Sequence, residues 1–294
     1  MPLVDASPLG RKRRSWLTGL IAIAALTALM TGLSRPAVLV GRAWSAAEQV
    51  AAGDISHQAW NELLRRYVDA EGNVDYTSWK ASADDQRRLD EYLASLSRLD
   101  EPRPATPSQR LAFWINAYNA VTVRGILREY PTTSIQNHLR HVWGYNIWRD
   151  LRLIVGNRRR SLGEIEHSIL RTMNEPRIHF AIVCASRGCP RLLNEAYSAE
   201  RLEEQLQHNT LAFFADPTKC RFEPSRNELH LSPVLLWYAA DFGPTRADLL
   251  RRIAEWIPDD ARAVTCPNGV RVVCLDYDWS LNDQATAGPP LPPF

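Results

Sequence analysis

Cys184 and Cys189 bracket a four-residue loop, Ala185-Ser186-Arg187-Gly188, that follows a short apolar run. A thiol attacks only as thiolate, so it needs a base, and the base needs an acceptor that fixes its orientation. His167 and His179 are the nearby histidines, and Glu164 and Glu166 are the nearby carboxylates. The sequence favours Cys184 as nucleophile, with Cys189 as the alternative, His167 as its base, and Glu166 or a buried amide as orienter. Helix geometry works against one of these contacts: consecutive residues point about 100° apart, so Glu166 cannot readily hold His167. Glu164 shares the face of His167 but is placed to cap the helix. Asn116, Asn119, His179, Ser186 and Arg187 are the candidate binding residues. In the competing reading, the two cysteines form a disulfide or lie buried and inert.

Other constellations are weaker. Glu164 and His167 have the i,i+3 spacing of carboxylate-bridged metal sites, but a second such pair is missing, since Glu204 and His208 are four apart. Asp276 and Asp278 could serve a glycosidase, or could be surface acids of a strand. There is no CxxC and no Cys/His zinc spacing. No metal and no cofactor is therefore expected. Trp114, Trp143, Trp148, Trp237 and Trp279 could line a groove for a sugar or peptide, which is the basis of the non-catalytic alternative, an envelope binding or scaffold module.

Several elements must position these residues. Thr106-Pro107-Ser108-Gln109 is a capping box with proline at the first helical position. The helix it opens is apolar nearly all round from Leu111 to Val121 and is expected to be central and buried. It carries Asn116 and Asn119 on one face. Ser161-Leu162-Gly163-Glu164 is a second capping box, opening a helix to about Arg171. The run His179–Cys184 reads as a buried strand that delivers Cys184 into its loop. Other expected helices cover residues 57–68, 85–99, 198–214, 233–240 and 245–257. Hairpins are expected over 149–161, around Pro224–Asn227 and at Asn268-Gly269, where Cys266 lies opposite Arg271. Helices outnumber strands, so the expectation is α+β: a single mixed domain, helix-rich, with antiparallel hairpins packed on a central buried helix.

The 294-residue chain has a formal charge of +2, but unevenly distributed. Residues 1–47 carry +5 and the remainder −3. Arg11-Lys12-Arg13-Arg14 precedes the uncharged run 16–33, the pattern of a signal peptide or signal anchor, and Lys12–Leu17 resembles a twin-arginine signal. Cleavage is conceivable near residues 43–46, and an uncleaved anchor is as consistent. The expected organisation is a basic n-region and anchor over 1–33, a tether over 34–55, a globular domain over 56–285 and a Pro-rich tail over 286–294. The expected partners are the cell membrane, through 16–33, and an envelope small molecule, glycan or peptide. Because the exported part is net acidic, nucleic acid is excluded. The oligomeric state is not legible.

Five blocks together resemble the family of domain of unknown function 547 (DUF547). They are Phe113–Ala120, Ser161–His167 with Ile169–Arg171, His179–Ala181 with Cys184 and Ser186–Pro190, Trp237-Tyr238 with Asp241–Gly243, and Tyr277–Asn282. The resemblance runs over residues 57–283 in order, with Gly188 standing where serine is more usual. It implies a domain often exported in bacteria and joined to other modules in plants, and it supplies no reaction. The residues themselves point to a thiol-dependent hydrolase or transferase acting on an envelope amide, ester or peptide.

Overall fold

A computed structural model of the chain describes residues 37–138, 146–257 and 269–286. The apolar run 16–33, Trp143, Cys266 and Asn268 of the anticipated hairpin, and residues 287–294 of the tail lie outside the described residues. Among the described residues no helix is long and apolar enough to cross a membrane.

The capping box at Thr106 forms with both reciprocal bonds, and the helix it starts runs Pro107–Glu129 (α4). Sixteen of its residues are buried, Asn116 and Asn119 among them. α1 (Gln58–Tyr67) packs on α2 (Tyr76–Ala81) and α3 (Ala83–Leu96), which pack in turn against α4, and Leu63, Trp79, Leu89 and Leu93 join one buried cluster with it. Residues 37–55, expected to be a tether, contribute to the same body. Val38–Val40 (β1) pairs in parallel with Leu151–Val155 (β2), and Ala52 and Ile55 are buried. The apolar residues of 37–55 thus find partners in the core, which takes in chain upstream of residue 56.

β2 and Arg158–Ser161 (β3) form the expected antiparallel hairpin, turning at Gly156-Asn157, both at positive φ. The capping box at Ser161 also forms, but the helix after it is not regular. A single α turn, Leu162–Ile165, passes into a π-helical turn at Glu166–Leu170 and a 3-10 turn at Arg171–Met173. π turns of this kind recur at functional sites.

The expected strand at His179–Cys184 is not a strand. Pro176–Phe180 is a 3-10 turn, followed by irregular chain. The run is as buried as its composition implied, and side-chain amides satisfy its backbone in place of a sheet neighbour. Asn119 donates to the Ala181 carbonyl at 2.9 Å and accepts from Val183 N–H at 3.0 Å, while Asn209 donates to the Phe180 carbonyl at 2.7 Å.

Downstream, α5 (Leu202–Ala215) leads to a second sheet of β4 (Cys220–Glu223), β5 (Glu228–Leu231) and β6 (Arg271–Cys274). The β4–β5 pair is antiparallel and the β5–β6 pair parallel. Each three-stranded sheet is therefore mixed, where antiparallel hairpins alone were expected. Helices α6 (Pro233–Trp237), α7 (Ala239–Phe242) and α8 (Arg246–Ile253) complete the body. The fold is α+β, helix-rich, with small mixed sheets. One apolar cluster surrounds α4; the other gathers Phe180, Phe213, Phe214, Leu231 and Trp256. Residues 178–183 contribute to both clusters, Ile178, Ala181, Ile182 and Val183 to the first and Phe180 to the second.

Candidate active site

A cavity of about 440 Å³ opens beside this segment. Its walls include Cys184, Cys189, His179, Glu166, Tyr118 and Tyr238, with Trp148, Trp237, Tyr277 and Trp279 making much of the rest aromatic.

Cys184 sits in a cluster of donors. Its sulfur lies 2.6 Å from Cys189 Sγ, 2.9 Å from Ser186 Oγ and 3.2 Å from the Tyr277 hydroxyl. The Ser186 and Tyr277 hydroxyls are themselves 2.9 Å apart. When Cys184 is ionised, the single protons of Cys189, Ser186 and Tyr277 can all point at its sulfur, so the thiolate is the form these contacts favour. The Cys184 thiol pKa is accordingly lowered to about 7, chiefly by the hydrogen bond from Cys189 and against the cost of burial, with help from Ser186 and Tyr277. Burial pushes the Cys189 thiol the other way, well above its ordinary value. It also pushes up the Tyr277 phenol.

Local backbone explains how two cysteines five apart meet. Ala185 is left-handed at φ 62°, a conformation that costs a non-glycine residue about 1–3 kcal/mol and survives only where its surroundings fix it. Those surroundings are the segment 278–282: Arg187 N–H donates to Ser280 O, Gly188 N–H to Asp278 O, and Asn282 N–H to Ala185 O. A Cβ on Gly188 would stand 2.9 Å from Tyr277 Cε2 and 3.0 Å from Asp278 N, so the glycine at this position is what lets Tyr277 approach the sulfurs. Asp276–Trp279, expected as a strand, is irregular chain, and Asp278 accepts from Ser280.

His179 is buried on the same cavity wall and stacks on the Tyr238 ring at 4.0 Å. Its Nε2 lies 2.7 Å from Asp241 Oδ2. Arg171 donates twice to Asp241, each at 2.7 Å, and holds that carboxyl below its usual range. An ionised carboxylate only accepts, so Nε2 carries the hydrogen. Burial lowers the pKa of His179, Asp241 opposing, so the ring is neutral near pH 7 and Nδ1 holds a lone pair. That Nδ1 is buried and has no hydrogen-bond partner among the described residues. A neutral imidazole fixed by a carboxylate, with its other nitrogen free, has the arrangement of a general base.

The other sequence candidates take different places. His167 has a side chain 54% exposed, meets Arg171 at 3.2 Å and does not line the cavity, so it is not brought to the cysteines. The π turn puts Glu166 inside instead, where its carboxylate accepts from the hydroxyls of Tyr118, at 2.9 Å, and Tyr238. Glu164 closes its capping box on Ser161 N–H. Asn116 holds Tyr197 by both backbone groups, and Asn119 holds residues 181–183; neither lines the cavity. Ser186 is in the sulfur cluster, whereas Arg187 donates to Asp283 O and Thr286. Sequence reasoning missed Asp241, Arg171 and Tyr277 as site residues. Asp241 and Tyr277 stood in blocks already noted, but nothing in their spacing tied them to Cys184.

No curated protein and no solved structure matches the chain. The resemblance noted over residues 57–283 is matched by a family model over a shorter span: residues 102–214 match the model of DUF547, described as protein of unknown function.

Proposed function

We propose that the protein is a thiol-dependent acyl hydrolase or transferase with Cys184 as nucleophile and His179, oriented by Asp241, as acid–base. The observation that carries this reading is that one cavity is lined both by a sulfur with three converging donors and by a buried imidazole whose Nδ1 is unpartnered. His179 Nδ1 takes the Cys184 proton, the sulfur attacks the carbonyl carbon, and the leaving amine or alkoxide departs with that proton. Water or a second acceptor then cleaves the thioester. The aromatic walls suit an apolar or planar acyl group better than a charged one. The +5 leader and the apolar run 16–33 support an extracytoplasmic site anchored at the N-terminus, hence an envelope amide, ester or peptide as substrate.

The test is active-site labelling followed by turnover. Iodoacetamide at pH 7 should modify Cys184 ahead of the other cysteines in the folded chain. An activated aryl ester should give a burst of one equivalent that disappears in Cys184→Ala and is slowed in His179→Ala. A Cys184 that stays unlabelled while the protein is folded, or a burst that survives Cys184→Ala, refutes the reading. An envelope polymer bound equally well by Cys184→Ala and wild type, with no burst in either, would establish the binding-module alternative, for which the half-exposed Trp237 stacked on Trp279 provides a platform.

A further inference from the structure

We infer that Cys184 and Cys189 also form a dithiol–disulfide exchange pair that reduces small disulfides entering the cavity, with Cys184 attacking and Cys189 resolving. The inference rests on the reading of Cys184 as a nucleophile and adds a second substrate class at the same sulfur.

The acyl mechanism does not need a second thiol. An alcohol or amide at 189 could donate to Cys184 equally well, yet the residue placed in contact with the nucleophile, at 2.6 Å, is another sulfur. The two thiols also differ in the way exchange requires. Cys184 is half-buried on the cavity wall and Cys189 is buried, so an incoming disulfide meets Cys184 first. Their acidities differ in the same sense, the attacking thiol being the more acidic. The resolving step has its own support: Cys184 N–H donates to Cys189 Sγ at 2.9 Å, which stabilises charge on that sulfur as its proton leaves. The loop between them needs little rearrangement, because its left-handed residue and its bonds to 278–282 already hold the sulfurs together.

The chemistry balances. Cys184 thiolate attacks one sulfur of a disulfide R–S–S–R; a bond forms from Cys184 Sγ to that sulfur, the S–S bond breaks, and one RS⁻ leaves and takes up a proton. Cys189, losing its proton, attacks Cys184 Sγ and expels the second RS⁻, which takes that proton. The two protein thiols are oxidised to one disulfide, and the substrate disulfide is reduced to two thiols. An external dithiol closes the cycle.

The experiment uses the reduced full chain, oxidised glutathione as probe, acid quenching, and mass spectrometry of the intact chain and its peptides. Wild type is expected to lose two hydrogens, gain a Cys184–Cys189 linkage and release both halves of the probe. Cys189→Ala and Cys189→Ser should each retain one glutathionyl group on Cys184, and Cys184→Ala should take none in this loop. A wild-type chain that keeps the glutathionyl group on Cys184, or a Cys189→Ser variant that never acquires it while Cys184 still reacts with iodoacetamide, overturns the exchange inference and leaves the acyl reading standing. A Cys184 inert to both reagents overturns both.

Discussion

Replacing Cys189 by alanine should change how the reactivity of Cys184 depends on pH, more than its size at any one pH. Cys189 is the largest of the influences that lower the Cys184 pKa to about 7, and without it that pKa returns toward the ordinary thiol value of 9.0. In the limit of a complete return, the thiolate fraction at pH 7 would drop from about one half to about one in a hundred, a loss of at most about fifty-fold in the reactive form. A more basic thiolate is a better nucleophile, with a Brønsted coefficient of about 0.4–0.5, so two units of pKa return about six- to ten-fold. Alkylation should therefore be slower at pH 7, by up to about five- to eight-fold, and faster than wild type above pH 10, where both sulfurs are ionised, by up to about six- to ten-fold. The two rate profiles must therefore cross. Cys189→Ser keeps a donor to Cys184 and an acceptor for its N–H, and should stay near the wild-type profile. Iodoacetamide rates from pH 5 to 10.5, with circular dichroism to confirm folding, read this directly. A Cys189→Ala profile parallel to wild type at every pH would mean that the second sulfur does not set the ionisation of the first, and the account of the donor cluster would be refuted.

Asp241→Asn should slow acyl transfer while sparing alkylation of Cys184, because it loosens the His179 tautomer but leaves the sulfur's donors in place. It should also cost about 1–3 kcal/mol at pH 7 by removing the negative charge and one of the two acceptor oxygens that Arg171 and His179 share. Since the folded pKa of Asp241 is lowered, its contribution is complete above the unfolded value near 3.9 and is lost as pH falls through the folded value. Denaturant midpoints should thus fall more steeply below about pH 4 in wild type than in the variant, and equal slopes would count against the ion pair. Asn119→Ala should cost about 2–6 kcal/mol in urea unfolding, because it strands the Ala181 carbonyl and the Val183 N–H in the core at about 1–3 kcal/mol each. A loss under about 1 kcal/mol would show that these groups find other partners. Gly188→Ala should push Tyr277 off the sulfurs at a cost of about 1–3 kcal/mol and raise the pKa of alkylation, and an unchanged pH profile would show that Tyr277 does not serve Cys184.

The parts of this molecule legible in its sequence are those governed by local rules. Two capping boxes, the buried helix after Thr106 and the hairpin at Gly156-Asn157 formed because side chains within a few residues of one another decide them. His179–Cys184 misled for an instructive reason: apolar composition reports burial, and a strand is only one way to satisfy a buried backbone. Here Asn119, 62 residues away from Ala181, does so instead. His167 misled through helix phase. An ideal α-helix would let Glu164 and His167 share a face, whereas the π turn at Glu166–Leu170 shifts that phase, buries Glu166 and leaves His167 outside. The imidazole that shares a cavity with the cysteines is held by Asp241, which Arg171 grips in turn, and those two residues are 70 apart and could not be paired from one sequence.

The boundaries of the family match sharpen what the site requires. Residues 102–214 contain Cys184, Cys189, His179, Glu166 and Arg171. Asp241, which fixes the tautomer of His179, and Tyr238, which stacks on it, lie in α7 and immediately before it, beyond that span. Tyr277 and the segment 278–282, which donate to Cys184 and hold the left-handed turn at Ala185, lie further still. The matched stretch thus holds the Cys184 thiol with two of its donors, Cys189 and Ser186, while the third donor and the carboxylate that fixes the imidazole tautomer come from outside it. Without Tyr277 the Cys184 thiolate would lose one of its three side-chain donors, and a histidine without its carboxylate would have no preferred tautomer. The chemistry proposed for Cys184 therefore belongs to the convergence of the central segment with residues 238–241 and 277–282. Substitutions at Tyr277 or Asp241 should impair turnover as severely as those at His179, although neither residue lies within the matched domain.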